Sequence, residues 1–334
     1  ELYNQRQFKK VLDRVSHLLQ KFPTSAFLHN MCGRSYTSLS QLDAALMAYN
    51  KAVTIKPDYA DAYYNMGVVL NEQDKPKQAI KAYNKALDIK PDFTQAYYNM
   101  ANTFKEQGNL EKAIEAYQKA LDNKPDYAEA YNNMGNALKE QGKLEKAIGA
   151  YNKALDIKPD YLYAYSNIGA VLQKQGKSEE AVDAYYKALD IKPDYAEAFY
   201  NMGVVLKRII FTKPNPYLQV KINSLLDQKI YVRPVDIALA VISLLKFEPS
   251  VQTLFQKHPG YESRQSLENI LTDLSHVPLL LKLMSVCPLP DLKLEDSLKN
   301  LRAHLLLSVS QLTTSLDMLR FQSALALQCF TNEY

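Results

Sequence analysis

The amino-acid sequence predicts an all-α solenoid of paired helices, followed by an irregular helical bundle. The first observation is a period: prolines recur every 34 residues, at positions 23, 57, 91, 125, 159 and 193. The second is that two helical segments, each with one apolar stripe, fit between successive prolines. The third is the loss of this period after about residue 212, beyond which apolar helical stretches continue without a repeat. Together these observations predict stacked helix pairs followed by a separate packing arrangement.

The first residues are interpreted as a partial repeat. Residues 1–25 fit the end of the first helix of a repeat plus a complete second helix, with Val11 in place of the small residue of the other copies. The chain begins with Glu1, and the repeat is also incomplete at its other end. We therefore expect the sequence to be part of a longer protein, cut within a repeat.

Five full repeats follow, over residues 26–59, 60–93, 94–127, 128–161 and 162–195. In the 128–161 copy the first helix, helix A, is predicted from Ala128 to about residue 141, where Gly142 breaks it. The second helix, helix B, is predicted from about residue 144 to residue 157, and Pro159 prevents its continuation. Apolar residues at positions i, i+3, i+4 and i+7 give each helix one buried face.

Two further patterns concern the helix ends and contacts. Asp126, followed three residues later by Glu129, predicts a capping box at the start of helix A, and two other copies repeat the pattern.

Glycine recurs one turn into helix A, although glycine inside a helix costs about 1 kcal/mol relative to alanine. Its recurrence in one register predicts a close contact between helices A and B. The positions are 33, 67, 135, 169 and 203, with Ala101 in the remaining copy.

These residues resemble the tetratricopeptide repeat (TPR) family. The 34-residue period, the aromatic, Met or Ile, Gly and Leu pattern of helix A, the Ala, Tyr, Ala pattern of helix B and the closing Pro all match. The usual Trp of the family is Tyr here in four of the five full repeats, and His29 in the first. The resemblance implies a right-handed TPR solenoid of five full repeats with partial repeats at both ends. It also implies that helix A lines the concave surface and that this surface binds protein or peptide partners.

A single helix A position carries asparagine in five consecutive copies: Asn65, Asn99, Asn133, Asn167 and Asn201. A carboxamide both donates and accepts hydrogen bonds, so it can bind a peptide backbone. Packed helices lie about 8–10 Å apart, and an extended chain rises about 3.3 Å per residue, so each asparagine would bind every third or fourth backbone unit. The row resembles the asparagine ladder in the TPR superhelix of O-linked N-acetylglucosamine transferases, which binds extended peptides.

Neighbouring residues complete the predicted peptide-binding site. They are three tyrosines that could stack on a ligand and two lysines: Tyr64, Tyr98, Tyr200, Lys105 and Lys139. Two alternatives stay open from the sequence. Near-identical repeats share every residue, whether functional or not, and the tyrosines could instead pack between neighbouring repeats.

Residues 196–212 fit helix A of a degenerate repeat, and residues 213–334 predict a helical capping or linker domain that docks on it. Two phrases, at residues 283–292 and 325–334, resemble the helical region between TPR repeats and a methyltransferase domain in large bacterial transferases. No S-adenosylmethionine-binding glycine motif occurs, so any catalytic domain is expected outside this chain. The predicted helical stretches are 217–226, 234–247, 251–258, 265–274, 278–286, 294–309 and 316–330.

Several functional classes are disfavoured by composition. With 40 basic and 36 acidic residues, the chain has a net charge of +4, which gives no reason to expect nucleic acid as a partner. The longest apolar run, residues 237–245, is too short to cross a bilayer, so no membrane is expected as a partner. The three widely spaced cysteines, at positions 32, 287 and 329, favour a reducing, cytoplasmic location.

The sequence also contains no recognisable catalytic or metal-binding motif. His258, His276 and His304 lack metal-ligand spacing, and no phosphate-binding glycine loop or nucleophile motif occurs. We therefore expect no cofactor, no metal and no enzyme activity in this chain. The favoured interpretation is a scaffold that captures an extended polypeptide, as the substrate-recruiting part of a larger protein. Two alternatives remain: a module that self-assembles into homo-oligomers, and a non-catalytic fragment of an S-adenosylmethionine-dependent methyltransferase.

Overall fold

The computed structural model describes residues 7–227, 233–255, 264–287, 289–308 and 319–326. In this part of the chain every regular element is a helix. The structure divides into two compact units, residues 1–160 and residues 161–334. The prediction of four segments, 1–25, 26–195, 196–212 and 213–334, stays a prediction.

Unit 1 consists of helix pairs in which even-numbered helices are the A helices and odd-numbered ones are the B helices. Each A helix packs against its own B helix, and consecutive A helices also contact one another, so the A helices form a layer along one side. The helices predicted for the 128–161 copy are confirmed. The bounds are α1 Phe8–Lys21, α2 Ala26–Ser38, α3 Leu42–Ile55, α4 Ala60–Glu72, α5 Pro76–Ile89, α6 Thr94–Glu106, α7 Leu110–Asn123, α8 Ala128–Glu140 and α9 Leu144–Ile157.

Unit 2 begins with the fifth helix pair and continues into the helices that follow the repeats. Helix α12 packs against α14, where the Phe211 backbone N–H donates to the Ser243 hydroxyl at 2.9 Å and Lys207 pairs with Asp236 at 3.1 Å. Residues 319–326 are also helical. The other bounds are α10 Leu162–Lys174, α11 Ser178–Ile191, α12 Ala196–Leu206, α13 Pro216–Asp227, α14 Pro234–Leu245, α15 Pro249–Phe255, α16 Arg264–Ser275, α17 Pro278–Val286 and α18 Leu292–Ser308.

The predicted C-terminal helical stretches agree with α13 to α18, and parts of the stretches 251–258, 294–309 and 316–330 lie outside the described residues. Helix α14 is buried along almost its whole length, from Ile237 to Leu245, except at Leu239. It contacts α12, α13 and α17, so it lies at the centre of this part of unit 2.

The contact between helices A and B is made by a fully buried tyrosine of helix B and a glycine of helix A. A Cβ atom placed on Gly135 would lie 2.5 Å from Cε1 of Tyr151, a distance that forces the ring to move. The same juxtaposition occurs at Gly33, Gly67 and Gly169, so the predicted close contact is confirmed. Ala101 stands at this position in the third repeat, where its methyl group is fully buried.

The predicted capping boxes are wrong. Helix α8 begins at Ala128 with Tyr127 as its N-cap, and no side chain caps it, so Asp126 lies one residue too early. The same holds for α6, whose N-cap is Phe93. The reason is packing: the Tyr127 ring lies 4.9 Å from the ring of Tyr98 on the preceding A helix. The N-cap position is therefore used for an aromatic contact rather than for a capping side chain.

The turn from helix A to helix B requires a left-handed residue in every repeat of unit 1. Gly108 and Gly142 have φ angles of +73° and +78°, and Ser40 and Asp74 occupy the same place with φ +57°. A left-handed conformation costs a non-glycine residue about 1–2 kcal/mol. The first two full repeats therefore carry strain that the next two avoid.

We expect Asp74→Gly to raise the free energy of unfolding by about 0.5–1 kcal/mol, because glycine adopts this conformation without steric cost. Gly142→Asp is the matched control and should lower stability by a similar amount, since a Cβ there meets no atom within 4 Å and only the backbone is strained. Urea and thermal unfolding followed by circular dichroism measure both. Equal stability of the two variants and the wild type would contradict the strain.

The buried tyrosines of helix B also predict that the protein loses stability at alkaline pH. Burial raises the pKa of Tyr185 to about 12 and raises those of Tyr83, Tyr117 and Tyr151 above their ordinary value. The unfolded chain ionises these phenols near pH 10, whereas the folded chain keeps them protonated. The protein therefore binds more protons folded than unfolded above that pH, and stability falls as pH rises.

We expect the thermal midpoint to be insensitive to these groups below pH 10 and to decline from about pH 10 upward. Tyr151→Phe should show a shallower decline, since it removes one of the buried groups. Thermal unfolding between about pH 8 and pH 11.5 measures this. An equally steep decline in the variant would show that Tyr151 does not contribute.

Candidate functional site

The asparagines that recur at one helix A position are called the ladder asparagines, and those of unit 1 are Asn65, Asn99 and Asn133. They lie half-buried in the layer of A helices, and each donates to a side chain of the preceding repeat. The Asn99 amino group donates to the Tyr64 hydroxyl at 2.9 Å, and that of Asn133 to the Tyr98 hydroxyl at 2.8 Å. Asn65 donates instead to the carboxamide oxygen of Asn30 at 3.1 Å. Each asparagine therefore joins two consecutive repeats.

This anchoring leaves the carboxamide oxygens as the accessible hydrogen-bonding atoms. Among the described residues, the Oδ1 atoms of Asn65 and Asn99 have no hydrogen-bond donor, and that of Asn133 receives the Asn132 amide at 3.4 Å. The sequence predicted that the whole amide would be available to a ligand. The structure gives part of each amino group another partner, which turns the row into a row of acceptors.

Tyr64 and Tyr98 pack within the protein. Their ring centroids lie 4.9 Å from those of Phe93 and Tyr127, respectively, which precede the next A helix. Burial raises the pKa of both phenols, although the asparagine hydrogen bonds oppose the shift. Of the two roles left open by the sequence, packing between repeats is the one that the geometry shows.

Two asparagines that the sequence analysis missed lie beside the ladder. Asn102 and Asn136 stand three residues after ladder asparagines, partly exposed on α6 and α8. The Tyr151 hydroxyl donates to the Asn136 Oδ1 at 2.8 Å, and the Tyr117 hydroxyl donates to the Asn102 Oδ1. The available signal was the spacing of fifteen residues between each asparagine and a core tyrosine.

The charged residues of this surface have mixed signs. Lys105 and Lys139 are half-buried, and the neighbouring Glu106 and Glu140 are exposed. The Glu106 carboxylate accepts a hydrogen bond from Asn71 at 3.2 Å, which links the second and third repeats. The surface thus offers no net charge preference to a ligand.

In unit 2, Asn167 on α10 and Asn201 on α12 are also half-buried. Tyr200, beside Asn201, is 66% exposed, in contrast to Tyr64 and Tyr98. Tyr163 is likewise exposed and lies edge-on to Tyr161 and Tyr195, at 5.7 Å and 6.0 Å between ring centroids. Of the three tyrosines of the predicted site, the exposed one, Tyr200, therefore lies in this unit.

Within the described ranges, no group of three or more His, Cys, Asp or Glu side chains could hold a metal ion. No described helix combines the length and the apolar character needed to cross a bilayer. The site is instead built of carboxamides and phenols, which bind neutral hydrogen-bonding groups.

Helix pairs of constant length, stacked in one register, define the class of helical repeat proteins. The sequence matches the family described as TPR repeat over residues 33–74, 101–142, 135–176 and 174–209. Two families described as tetratricopeptide repeat match residues 60–93 and 82–115. These matches run without a gap from residue 33 to residue 209, more than half of the chain. The chain belongs to the tetratricopeptide repeat family.

Two solved structures with TM-scores of 0.50 or more agree with this fold. The C-terminal part of a TPR repeat-containing protein from Cytophaga hutchinsonii is similar with a TM-score of 0.54 and 16% identity, covering 74% of this chain and 93% of that one. PilF from Pseudomonas aeruginosa is similar with a TM-score of 0.50 and 18% identity, covering 67% and 92%. MamA is 28% identical, with a TM-score of 0.47 over 49% of this chain and 96% of that one. No curated protein matches the sequence.

The link between repeats predicts a coupled effect on stability. Asn133→Ala and Tyr98→Phe each remove the same hydrogen bond, so their losses should not add, and we expect a coupling energy of about 0.5–1.5 kcal/mol. Asn99→Ala with Tyr98→Phe is the control pair, since Asn99 donates to Tyr64 instead. Thermal unfolding of the single and double variants gives both cycles. Additive losses in the first cycle would contradict the link.

Proposed function

We propose that this chain is a protein-binding scaffold that captures an extended polypeptide along the A helices of its repeats. The observation that carries the proposal is the row of asparagines at one helix A position, whose amino groups are fixed by the preceding repeat in unit 1. An asparagine fixed in this way directs its oxygen without a large loss of side-chain entropy on binding. Membership of a repeat family with an extended binding surface supports the same role.

Main-chain groups are the suitable ligands for such a row. Every residue of a polypeptide except proline offers an N–H donor, whatever its side chain is. A ligand held through the backbone would leave its side chains to contact neighbouring residues of mixed charge, such as Lys105, Lys139 and Glu106. The proposed binding is therefore broad in sequence, with selectivity added by these neighbours.

The chain is proposed to act without catalysis, as the substrate-recruiting part of a larger protein. Its described cysteines, Cys32 and Cys287, are buried, and burial raises the pKa of Cys287 to about 11. Protonated, buried thiols react slowly and persist in a reducing compartment. This supports the proposed cytoplasmic location.

The test uses an uncharged fifteen-residue peptide, five repeats of Ser-Ala-Thr, labelled with fluorescein. We expect the double variant Asn99→Ala with Asn133→Ala to bind it about 5- to 50-fold more weakly, since two backbone hydrogen bonds are lost. Fluorescence anisotropy measures the affinity, and chemical-shift changes of the labelled protein extend the measurement to weak binding.

The matched control is Tyr64→Phe with Tyr98→Phe. This variant removes the same two hydrogen bonds between repeats but keeps both asparagines. It should lose comparable stability but lose less affinity than the asparagine variant, because only the fixed orientation of the amides is lost. Equal affinity of the asparagine variant and the wild type would overturn backbone capture by the ladder. Equal loss in both double variants would show that the asparagines act on the fold alone.

A further inference from the structure

The ladder provides acceptors, but an extended backbone also presents carbonyl groups, which need donors. In an extended chain the N–H and C=O of one residue face the same edge. A surface that binds this edge needs an acceptor and a donor close together. In the third and fourth repeats, asparagine also stands three residues after the ladder position, at Asn102 and Asn136.

The core tyrosine of the fourth repeat hydrogen-bonds this second asparagine. The Tyr151 hydroxyl donates to the Asn136 oxygen at 2.8 Å, so the amino group at the other end of the amide points away from this hydroxyl. Asn136 is partly exposed, and its amino group has no hydrogen-bond partner among the described residues. Tyr151 itself is fully buried against Gly135, so its hydroxyl occupies a fixed position.

The third repeat has the same arrangement with one difference. The Tyr117 hydroxyl donates to the Asn102 oxygen, which also receives the Asn133 amino group at 3.4 Å. The Asn102 amide also hydrogen-bonds the Tyr98 hydroxyl, which opposes the rise that burial causes in the pKa of that phenol. Because an amino group has two protons, one N–H of the partly exposed Asn102 is left for a further acceptor.

We propose that the asparagine pairs Asn99 with Asn102 and Asn133 with Asn136 each form a two-amide unit that binds the N–H and the C=O of one backbone residue. The ladder member accepts through its oxygen, and the second member donates through its amino group. Residues three apart on a helix lie about 5–6 Å apart at Cβ, so both can contact one ligand residue. Tyr117 and Tyr151 are the positioning residues of these units. The proposal rests on the proposed function, and it adds two binding residues and their orientation mechanism.

The fluorescein-labelled Ser-Ala-Thr peptide also tests this proposal. Asn136→Leu keeps the side-chain volume but removes the donor, and we expect the affinity to fall about three- to tenfold. Tyr151→Phe keeps Asn136 but frees its amide to rotate, so the affinity should fall about two- to fivefold. In the wild type, the Asn136 side-chain amide should shift in a nitrogen–proton correlation spectrum when the peptide binds.

Tyr83→Phe is the matched control for the positioning role. Tyr83 is packed against Gly67 as Tyr151 is packed against Gly135, but Val68 stands where the fourth repeat has Asn136. Tyr83→Phe should therefore lose stability as Tyr151→Phe does and bind the peptide as the wild type does. A purely structural role of the hydroxyl would instead weaken binding equally in both variants, which overturns the positioning role.

The remaining outcomes separate this proposal from the proposed function. If Asn136→Leu binds as the wild type does while Asn99→Ala with Asn133→Ala binds weakly, the two-amide unit is overturned and capture by the ladder stands. If Tyr151→Phe alone binds as the wild type does, Asn136 is a binding residue without a positioning tyrosine. If the wild-type chain does not bind the peptide at millimolar concentration, the proposed function and the two-amide unit fail together.

Discussion

The structure of each repeat depends on the packing of one tyrosine of helix B against one small residue of helix A, which is glycine in the first, second, fourth and fifth repeats and Ala101 in the third. The missing Cβ of Gly135 makes room for the Tyr151 ring, and the ring is then fully buried between the two helices. Burial places the phenol oxygen at the edge of the core, where it must find a polar partner. In the third and fourth repeats this partner is a carboxamide on the surface of helix A, so core packing orients a surface residue.

The ladder asparagines also take part in the contacts between consecutive repeats. Asn99 and Asn133 donate to tyrosines of the preceding repeat, and those tyrosines pack in turn on Phe93 and Tyr127 at the start of the next A helix. A hydrogen bond and an aromatic contact thus join the same two repeats. Because the proposed binding atoms belong to the network of contacts between repeats, a substitution of asparagine is expected to change stability and binding at once. The tyrosine variants separate the two effects, since they remove the link and keep the amide.

The sequence predicted most of the fold because nearly identical repeats show each local residue pattern several times. Helix bounds followed from Gly142 and Pro159, and the close contact of helices A and B from the recurrence of glycine. The prediction of capping boxes was wrong because the sequence pattern for a helix N-terminus takes no account of packing against the preceding A helix. Tyr127 occupies the N-cap, where its ring packs on Tyr98, and this contact between repeats has no signature in local spacing.

The site was predicted less completely, for a physical reason. The spacing of 34 residues identified Asn65, Asn99 and Asn133 as equivalent, but it carried no information about which end of each amide was free. That depends on the residue one repeat earlier: Asn65 meets the carboxamide oxygen of Asn30, whereas Asn99 meets the hydroxyl of Tyr64. Both are acceptors within reach of an amino group. The preceding repeat therefore has to supply an acceptor rather than a particular residue type, and the ladder amino groups keep a partner even where the neighbouring side chain changes.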